Sequence, residues 1–331
     1  MLILGGGGQI GRALVPAMLA RGWEVVVGSR GNVGVPEGAE HAQLDRDDTE
    51  AVRAALADGV DAIVDCIAYE RRHAEQLLGL GSLTRSLVVI SSAAVYADAA
   101  GRSFESDEFP HYPVPINERT QPTVAAGDGS YAAKKRAIEE MLLGQDDVPA
   151  TLIRAGAIYG VGSEVRELYF VKRALDGRRY VVLGDRGRSR FHPVATENLA
   201  ELIRLCAEHP GTRVVNAGDP EPPNVLEISR AIAQAMEHEW AEVLLPTYGE
   251  PCETPWTGPR PFVLDLTEAE LEVGYRAVTS YARAVRVTCE WLADEVRDRP
   301  WEELAPTLAQ YHPGTFDYDA EDAAVGGLTG G

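Results

Sequence analysis

Basic residues are scarce in this chain of 331 residues, in which 31 Lys and Arg stand against 51 Asp and Glu for a formal charge of −20. Nucleic acids and anionic membranes bind proteins through clustered positive charge, so this balance excludes a general nucleic-acid or membrane binder. No apolar run reaches the roughly 18 residues that a membrane span requires. The N-terminus also lacks the basic segment, hydrophobic stretch and cleavage site of a secretory signal. We therefore expect a cytoplasmic protein with neither nucleic-acid nor membrane partners.

Cysteine is also rare, and the four cysteines of the chain are widely spaced. They form no C-x-x-C pair, and no histidine stands at metal-ligand spacing from them, so the sequence predicts neither a disulfide framework nor a metal site. We expect free thiols that are buried or partly buried. The four residues are Cys66, Cys206, Cys252 and Cys289.

Apolar residues, by contrast, make up 45% of the chain, enough for a substantial core in one or two domains. Residues 1–160 alternate short apolar runs with helical patterns. Strands separated by helices need crossover connections, so this alternation predicts an α/β fold with a parallel, doubly wound sheet. The predicted strands are 2–4, 24–27, 41–44, 61–65, 87–91 and 150–154. The predicted helices are 9–21, a segment around 52–56, 70–79 and 131–144.

Residues 161–310 are less regular and are predicted to form a smaller C-terminal α/β region that binds the substrate, with some strands returning to the main sheet. Helices are expected near 163–176, 196–208, 225–237 and 278–297, and strands at 180–183 and 213–216. The segment 246–261 holds five prolines, which predicts a loop packed on other structure. The acidic, glycine-ended tail 311–331 is expected to be mobile or loosely bound.

A glycine-rich run at residues 5–11 fits G-x-x-G-x-x-G, directly after a predicted strand and at the start of a helix. Gly5 permits the tight turn, Gly8 lets the backbone approach a pyrophosphate at the helix N-terminus, and Gly11 lets the helix pack close to the sheet. A glycine run alone could be a flexible turn, but this context favours nucleotide binding.

The end of the second predicted strand indicates which dinucleotide binds. An acidic residue there would bind both adenosine ribose hydroxyls and repel a 2′-phosphate, and the sequence has none. Arg30 can pair with that phosphate and Ser29 can donate to it, which favours NADP over NAD. In the alternative, Arg30 stacks on adenine or points to solvent. Asp45 suits the adenine amino group, or it caps the following helix.

Chemistry is indicated by Ser92, at the end of the apolar strand 87–91, and by Tyr131 and Lys135, which form Y-x-x-x-K at the start of a helix. A spacing of four places the last two on one helical face. A nearby ammonium would lower the pKa of the Tyr131 phenol, which could then exchange a proton with a substrate hydroxyl or carbonyl. Ser92 would hydrogen-bond the same oxygen.

These motifs, in this order, resemble those of the extended short-chain dehydrogenase/reductase family, the NAD(P)-dependent sugar epimerases and dehydratases. Weaker motif matches extend the resemblance from residue 5 to about 295. The resemblance implies a Rossmann-type fold. It also implies a catalytic set of Ser92, Tyr131 and Lys135, with Lys135 holding the nicotinamide ribose. The cofactor-binding set that we expect is Gly5, Gly8, Gln9, Ile10, Gly11, Ser29, Arg30, Asp45, Ile67, Ala68, Tyr131, Lys135 and Ala155.

The chain departs from the family's pattern at several positions. Sugar-nucleotide 4,6-dehydratases carry an aspartate and a glutamate where this chain has Ala93 and Ala94, which disfavours that subtype. An asparagine of the UDP-galactose epimerase pattern is replaced by Ala157. The compact form resembles the subgroup of chloroplast stem-loop-binding relatives and uncharacterised bacterial members. The charge of −20 argues against carrying RNA binding over from it.

Substrate contacts are harder to assign. Ala93, Ala94, Arg188 and Arg190 are candidates, since the two arginines belong to a basic cluster that either binds a phosphate or carboxylate or forms salt bridges. Glu118 and Asp128 could supply an acid or base, although caps or surface charges are the simpler interpretation. Solvent exposure is expected for His111 and Tyr112, and a structural role for His192.

The sequence thus predicts an NAD(P)-dependent epimerase or dehydratase that acts on a sugar, sugar nucleotide or nucleoside by transient oxidation of a secondary alcohol. Tyr131 would be the general base and acid. The first alternative is an NADPH-dependent reductase or dehydrogenase of a carbonyl metabolite, and the second is a non-catalytic dinucleotide sensor. A homodimer is expected by analogy with the family.

Overall fold

The structure is a computed structural model that describes residues 1–31, 34–162, 166–249, 252–311 and 313–329. The chain divides into two compact units. The first comprises Met1–Gly156, Thr196–Gly218 and Leu264–Val278, and the second comprises Ala157–Ala195, Asp219–Val263 and Thr279–Gly331. The sequence predicted a domain boundary at residue 160. In the structure the first segment of the first unit ends at Gly156, and two later segments of the chain also belong to this unit.

The described strands and helices are numbered in chain order. The strands are β1 (Leu2–Leu4), β2 (Val26–Ser29), β3 (Glu40–Gln43), β4 (Ile63–Asp65), β5 (Leu87–Ser92), β6 (Ala150–Ala155), β7 (Ala157–Tyr159), β8 (Tyr180–Leu183), β9 (Pro193–Ala195), β10 (Arg213–Ala217) and β11 (Ala241–Leu244). The helices are α1 (Gln9–Leu19), α2 (Thr49–Leu56), α3 (Arg71–Gly79), α4 (Tyr131–Leu143), α5 (Leu168–Leu175), α6 (Thr196–Glu208), α7 (Val225–Ala235), α8 (Thr267–Val273), α9 (Tyr281–Asp298), α10 (Trp301–Leu304), α11 (Pro306–Tyr311) and α12 (Tyr318–Thr329). Among the described residues, no helix is long and apolar enough to cross a membrane.

The first unit is built on a seven-stranded sheet with the order β10-β6-β5-β4-β1-β2-β3, in which all neighbouring strands are parallel. Strands β1, β4 and β5 are buried almost throughout, as expected when helices cover both faces. The order reverses between β1 and β4, where ligands bind in open α/β sheets. The Rossmann-type doubly wound fold expected from the sequence is confirmed.

Strand β2 lies two residues later than predicted, because Val26 rather than Glu24 pairs with Leu2 of β1. The shift brings Gly28 into the sheet, where a Cβ atom would lie 3.1 Å from Leu4 and 3.4 Å from Leu44. A larger residue would therefore crowd the neighbouring side chains. As a result, Ser29 is the last residue of the strand.

Helices flank the sheet with apolar faces turned to it. In α1 the buried residues Ile10, Leu14, Val15 and Met18 follow the helical period and form the packed face, and α1 packs against α6. Helix α3 packs against α4. This packing anchors the N-termini of α1 and α4, which carry the predicted cofactor and catalytic residues.

The second unit contains two parallel strand pairs, β7–β9 and β8–β11, with α5, α7 and α9 packed together. Its core is rich in aromatic residues, including Tyr169, Phe170 and Trp256. Trp256 belongs to the proline-rich loop and is 1% exposed, so the described part of that loop contributes to the core as predicted. Helix α5 begins at Leu168, and residues 163–165 of the predicted helix lie outside the described residues.

The prediction of a mobile or loosely bound tail is wrong for residues 313–329. Helix α12 starts at Tyr318, and Glu321 is buried, with 2% of its surface exposed, in an ion pair with the buried Arg173. Asp322, the next residue of α12, pairs with Arg178, which precedes β8. The sequence showed the acidic residues but not the arginines that bind them, since more than 140 residues separate the partners.

Candidate active site

The turn between β1 and α1 has the geometry that the glycine motif predicts. Gly5 has a φ of +79°, and a Cβ atom there would lie 2.8 Å from the Ile67 side chain. A Cβ atom on Gly11 would lie 1.8 Å from the Gly6 carbonyl oxygen, so only glycine fits. Gly8 caps α1, and within the described chain no side chain caps this end and no acid lies in the first turn. The helix N-terminus is therefore suited to an anion.

A cavity of about 400 Å³ opens beside this turn, at the carboxyl ends of β1, β2 and β4. It brings together six predicted cofactor-binding residues, which are Gly5, Gly8, Ser29, Arg30, Asp45 and Ile67. It is also lined by residues that the sequence analysis did not select, namely Gly7, Gly28, Leu44, Arg46, Asp47, Tyr69 and His73. Helix dipole, glycine backbone and cavity together fit a dinucleotide. The other seven residues of the predicted cofactor-binding set do not line it, namely Gln9, Ile10, Gly11, Ala68, Tyr131, Lys135 and Ala155.

At the end of β2, Ser29 and Arg30 line the cavity. The Ser29 hydroxyl lies 3.0 Å from Nε2 of His41, a further polar group on β3. The alternative cap role of Asp45 is wrong, because Asp48 caps α2 by accepting from the backbone N–H groups of Glu50 and Ala51. Asp45 lines the cavity instead.

A buried ion pair that sequence analysis missed supports one wall of the cavity. Nη2 of Arg46 lies 2.6 Å from Oδ2 of Asp65, and both residues are buried. Oδ1 of Asp65 accepts from the backbone N–H of Ile67 at 2.9 Å. A charged residue directly after the apolar Ile63 and Val64 is the signal that could have indicated this pair.

The predicted catalytic residues converge at the ends of β5 and α4. Ser130 caps α4 by accepting from the Ala133 N–H, so Tyr131 is the first residue of the helix. Lys135 is 2% exposed, and its Nζ lies 5.7 Å from the centre of the Tyr131 ring and 4.7 Å from that of Tyr69. Ser92 hydrogen-bonds the Tyr131 phenol.

The pKa of Tyr131 differs from the expectation. Partial burial of the phenol raises its pKa above the usual value, and the Ser92 hydrogen bond opposes this rise. The Lys135 ammonium instead donates to the carbonyl oxygens of Ala68 and Ile90, at 2.7 and 2.8 Å. Burial lowers the pKa of Lys135 to about 8. The expected lowering of the pKa of Tyr131 is therefore wrong.

Two small residues follow Ser92 in a short 3-10 turn. Ala94 donates its backbone N–H to Oγ of Ser92 at 3.1 Å, which fixes the serine side chain. Ala93 is buried and Ala94 is partly exposed. Methyl groups cannot exchange protons, so at these two positions the chain carries no acid or base beside Ser92.

Glu118 is neither a cap nor a surface charge, so the simpler interpretation from the sequence is wrong. It is 9% exposed and accepts hydrogen bonds from the Asn216 backbone N–H at 2.8 Å and side-chain amide at 3.1 Å. The Tyr96 hydroxyl donates to Oδ1 of Asn216 at 2.6 Å. Burial raises the pKa of Glu118 to about 7. These partners are about 100 residues apart in sequence, so no local pattern indicates them.

The expected exposure of Tyr112 is also wrong, whereas His111 is exposed. Tyr112 is 6% exposed and donates its hydroxyl to the Tyr96 carbonyl at 2.9 Å. Asp98 accepts the His111 backbone N–H, which holds the segment in place. The loop before α4 is therefore tied to the turn that follows Ser92.

The remaining substrate candidates, Arg188 and Arg190, lie in the second unit and are exposed. Arg188 pairs with Asp185 at 2.6 Å, which was the alternative interpretation of the basic cluster. His192 is buried, its ring lies 2.8 Å from the Asp219 carbonyl, and burial lowers its pKa to about 4. It has the structural environment that the sequence analysis favoured.

Glu167 in the second unit should make the free energy of unfolding depend on pH. Burial raises its pKa to about 7, and the Tyr281 hydroxyl donates to it at 3.0 Å. The folded chain thus keeps a proton that the unfolded chain releases between about pH 4.5 and 7, so the unfolding free energy should fall as pH rises through this range. We expect Glu167→Gln to remove a few kcal/mol of this fall, since one pKa unit corresponds to about 1.4 kcal/mol.

Urea unfolding of the original protein and of Glu167→Gln, each at pH 5 and pH 8, checks this expectation. Glu290→Gln, which changes an exposed glutamate on α9, is the matched control and should keep the fall of the original chain. An equal fall in Glu167→Gln would show that Glu167 is ionised in the folded chain.

Comparisons with known proteins agree with this geometry. The sequence model of the NAD dependent epimerase/dehydratase family matches residues 1–218. A 2′-dehydrokanamycin reductase of Streptomyces kanamyceticus is 28% identical over 218 residues, which cover 61% of this chain and 57% of that protein. The match thus spans a little over half of the length of this curated relative.

Solved structures share the fold. The UDP-N-acetylglucosamine 4-epimerase of Bacillus cereus superposes with a TM-score of 0.69 at 16% identity, covering 88% of this chain and 98% of that one. MoeE5 in complex with UDP-glucose and NAD gives 0.65 at 18% identity, covering 89% and 99%. Since the family model covers well over half of the chain, the chain belongs to the NAD-dependent epimerase/dehydratase family.

Proposed function

We propose that this protein is an NAD(P)-dependent enzyme that oxidises a secondary alcohol of a sugar-like substrate and returns the hydride, so that the net reaction is an isomerisation. The observation that carries the proposal is the convergence of Ser92, Tyr131 and Lys135 in the unit that holds the glycine turn. The dinucleotide supplies the hydride acceptor when bound. The side chains of this protein then bind, orient and exchange protons.

Tyr131 is placed to move the proton. Its phenol exchanges a proton with the substrate oxygen, and Ser92 hydrogen-bonds that oxygen while also contacting the phenol. The Lys135 ammonium, 5.7 Å from the centre of the Tyr131 ring, favours the phenolate without outweighing the burial that raises the pKa of the phenol. Its own pKa of about 8 places its charge change just above neutral pH. We expect turnover to fall at alkaline pH as Lys135 loses its proton.

An epimerase is favoured over a dehydratase by Ala93 and Ala94. Elimination of water needs an acid and a base beyond the tyrosine, and neither alanine can act as one. A redox-neutral epimerisation needs only that the ketone be reduced from its other face. UDP-sugars are the first compounds to test, because the solved relatives include UDP-sugar 4-epimerases.

A reductase is the second candidate, and two observations favour it. Arg30 and Ser29 line the cavity at the end of β2, where they could bind a 2′-phosphate, and a relative at 28% identity is named 2′-dehydrokanamycin reductase. In that case Tyr131 donates its proton to a substrate ketone and NADPH is consumed in each turnover. A ketone-bearing aminoglycoside is then the first substrate to test.

One experiment distinguishes the two reactions. The protein is incubated with UDP-sugars and with a ketone-bearing aminoglycoside, while absorbance at the nicotinamide band and product composition are followed together. A new stereoisomer without net change of cofactor supports the epimerase, and stoichiometric loss of NADPH supports the reductase. If every compound remains unchanged with both dinucleotides, neither activity holds.

Arg30→Ala tests whether Arg30 recognises the 2′-phosphate of NADPH. We expect NADPH affinity to fall about ten- to a hundredfold, because a charged hydrogen bond contributes about 1.5–3 kcal/mol, and NADH affinity to change little. Calorimetric titration measures both. Arg85→Ala, which removes an arginine whose side chain is 82% exposed, is the control and should leave both affinities unchanged. Equal losses of affinity for NADPH and NADH would show that Arg30 does not bind the 2′-phosphate.

A further inference from the structure

A buried carboxylate lies on the catalytic helix but takes no part in the proposed reaction. Glu139 is fully buried and follows Tyr131 and Lys135 at successive spacings of four, so the three residues share one face of α4. A buried charge without partners is very costly, so a fully buried carboxylate on this face needs partners that compensate it.

Glu139 is bound from both strands next to the helix. Ser91 of β5 donates its hydroxyl to Oε1 at 2.6 Å. Arg154 of β6 donates to both carboxylate oxygens, from Nε at 3.0 Å and from Nη2 at 2.7 Å. Arg154 is itself 4% exposed and lies over the Tyr96 ring, 4.8 Å from its centre. This two-point contact fixes the position of α4 along β5, the strand that ends in Ser92.

The same carboxylate acts on Lys135, one helical turn away. Lys135 Nζ is held by two backbone carbonyls rather than by a direct ion pair, so its charge depends on groups at longer range. Two aromatic rings face the Lys135 ammonium, those of Tyr69 and Tyr131. The titratable groups that act on it electrostatically are Asp65 at the end of β4, Cys66 directly after it, and Glu139 of α4. Asp65, Cys66 and Glu139, in that order, oppose the effect of burial on the pKa of Lys135.

We propose that Glu139 is a positioning residue for the Tyr131–Lys135 pair, anchoring the catalytic helix to the sheet through Arg154 and Ser91 and helping to keep Lys135 in its ammonium form. The catalytic part of this inference rests on the proposed function. The electrostatic part does not, because it concerns the protonation of Lys135 whether or not a substrate is turned over.

The chain offers a direct measurement, since it contains three lysines, Lys134, Lys135 and Lys172. NMR spectra of protein labelled with ¹³C at the lysine ε-carbons therefore contain three titrating signals. Lys134→Arg and Lys172→Arg assign two of them. In the original protein the Lys135 signal should titrate near pH 8.

Glu139→Gln keeps the size of the side chain but removes its charge and leaves Arg154 uncompensated. We expect the Lys135 midpoint to move down, because the loss of a nearby negative charge disfavours the ammonium form. Arg154→Met removes the positive charge nearest to Glu139 and leaves Arg136, whose Nη1 lies 3.6 Å from Oε2, as its ion-pair partner. This variant should move the midpoint up, which provides a test of opposite sign if Glu139→Gln does not fold. Ser91→Ala removes a hydrogen bond without a charge and should leave the midpoint unchanged.

Glu140→Gln is the matched control, because Glu140 is the next residue of the helix, is 53% exposed and pairs with Arg136. Equal Lys135 midpoints in Glu139→Gln and Glu140→Gln would overturn the electrostatic role. Where turnover is measurable, kcat in Glu139→Gln should decline at a lower pH while KM is retained, and an unshifted pH profile would overturn the positioning role. A protein without turnover would refute the proposed function, and the lysine titration would still decide the role of Glu139.

Discussion

Replacing Tyr131 with phenylalanine should lower kcat by about 10²–10⁴-fold, the range that a positioned proton-transfer group contributes. The phenol hydrogen-bonds Ser92, and phenylalanine keeps the ring while removing the hydroxyl proton. Dinucleotide affinity should change little, because the glycine turn and the cavity beside it are untouched. Steady-state kinetics with the substrate found by the screen, together with calorimetric titration of NADPH and NADH, measures both effects.

Tyr180→Phe is the matched control, since it removes a phenol from the second unit whose hydroxyl bonds Asp322. It should retain full turnover. Full activity of Tyr131→Phe would show that another group transfers the proton, whereas loss of dinucleotide binding together with activity would indicate a structural rather than a chemical role.

Replacing Gly11 with alanine should destabilise the first unit by about 3 kcal/mol or more, at the upper end of what overpacking costs. The new Cβ atom would lie 1.8 Å from the Gly6 carbonyl oxygen and 2.3 Å from its carbon, both of them backbone atoms that no side-chain rotation can move. Either α1 or the glycine turn must shift, so dinucleotide binding should be lost even in the fraction that folds. Urea unfolding and calorimetric titration provide the two readouts.

Gly79→Ala makes the same chemical change in a different environment. Gly79 ends α3, and nothing lies within 4 Å of a Cβ atom there. Because alanine is the better helix former, the variant should be as stable as the original or more stable by up to about 1 kcal/mol. If Gly11→Ala and Gly79→Ala unfold at the same urea concentration, the close packing of α1 against the turn is wrong.

Much of the fold is predictable because many of its elements are local patterns. Helix α6 and strand β8 have the predicted bounds, and α4 and β6 differ by one residue at one end. Strands β7 and β9 have three residues each, too few to show a period, and the sequence predicted neither. The error in β2 arose because pairing with β1, rather than composition, decides where the strand begins.

The candidate site was predictable where residue type and spacing carry the chemistry, as in the glycine turn and the Y-x-x-x-K pair. Burial was not predictable at Glu118, whose partner Asn216 lies 98 residues away. The same is true of Glu321, which is buried only because Arg173 of α5 meets the tail helix. Glu139 and Arg154 did leave a signal, since each interrupts an apolar pattern, and two such interruptions on neighbouring elements indicate a buried pair.

The central claim is that each chain binds one nicotinamide dinucleotide at the glycine turn, beside Tyr131 and Lys135. The most direct measurement unfolds purified protein, identifies and quantifies any released nucleotide by chromatography, and titrates the remaining capacity with NADPH and NADH. We predict that released and titrated dinucleotide together amount to one per chain, and that addition of the dinucleotide shifts the Lys135 NMR signal but not that of Lys172. Zero dinucleotide by both routes, with an unchanged Lys135 signal, would contradict the account.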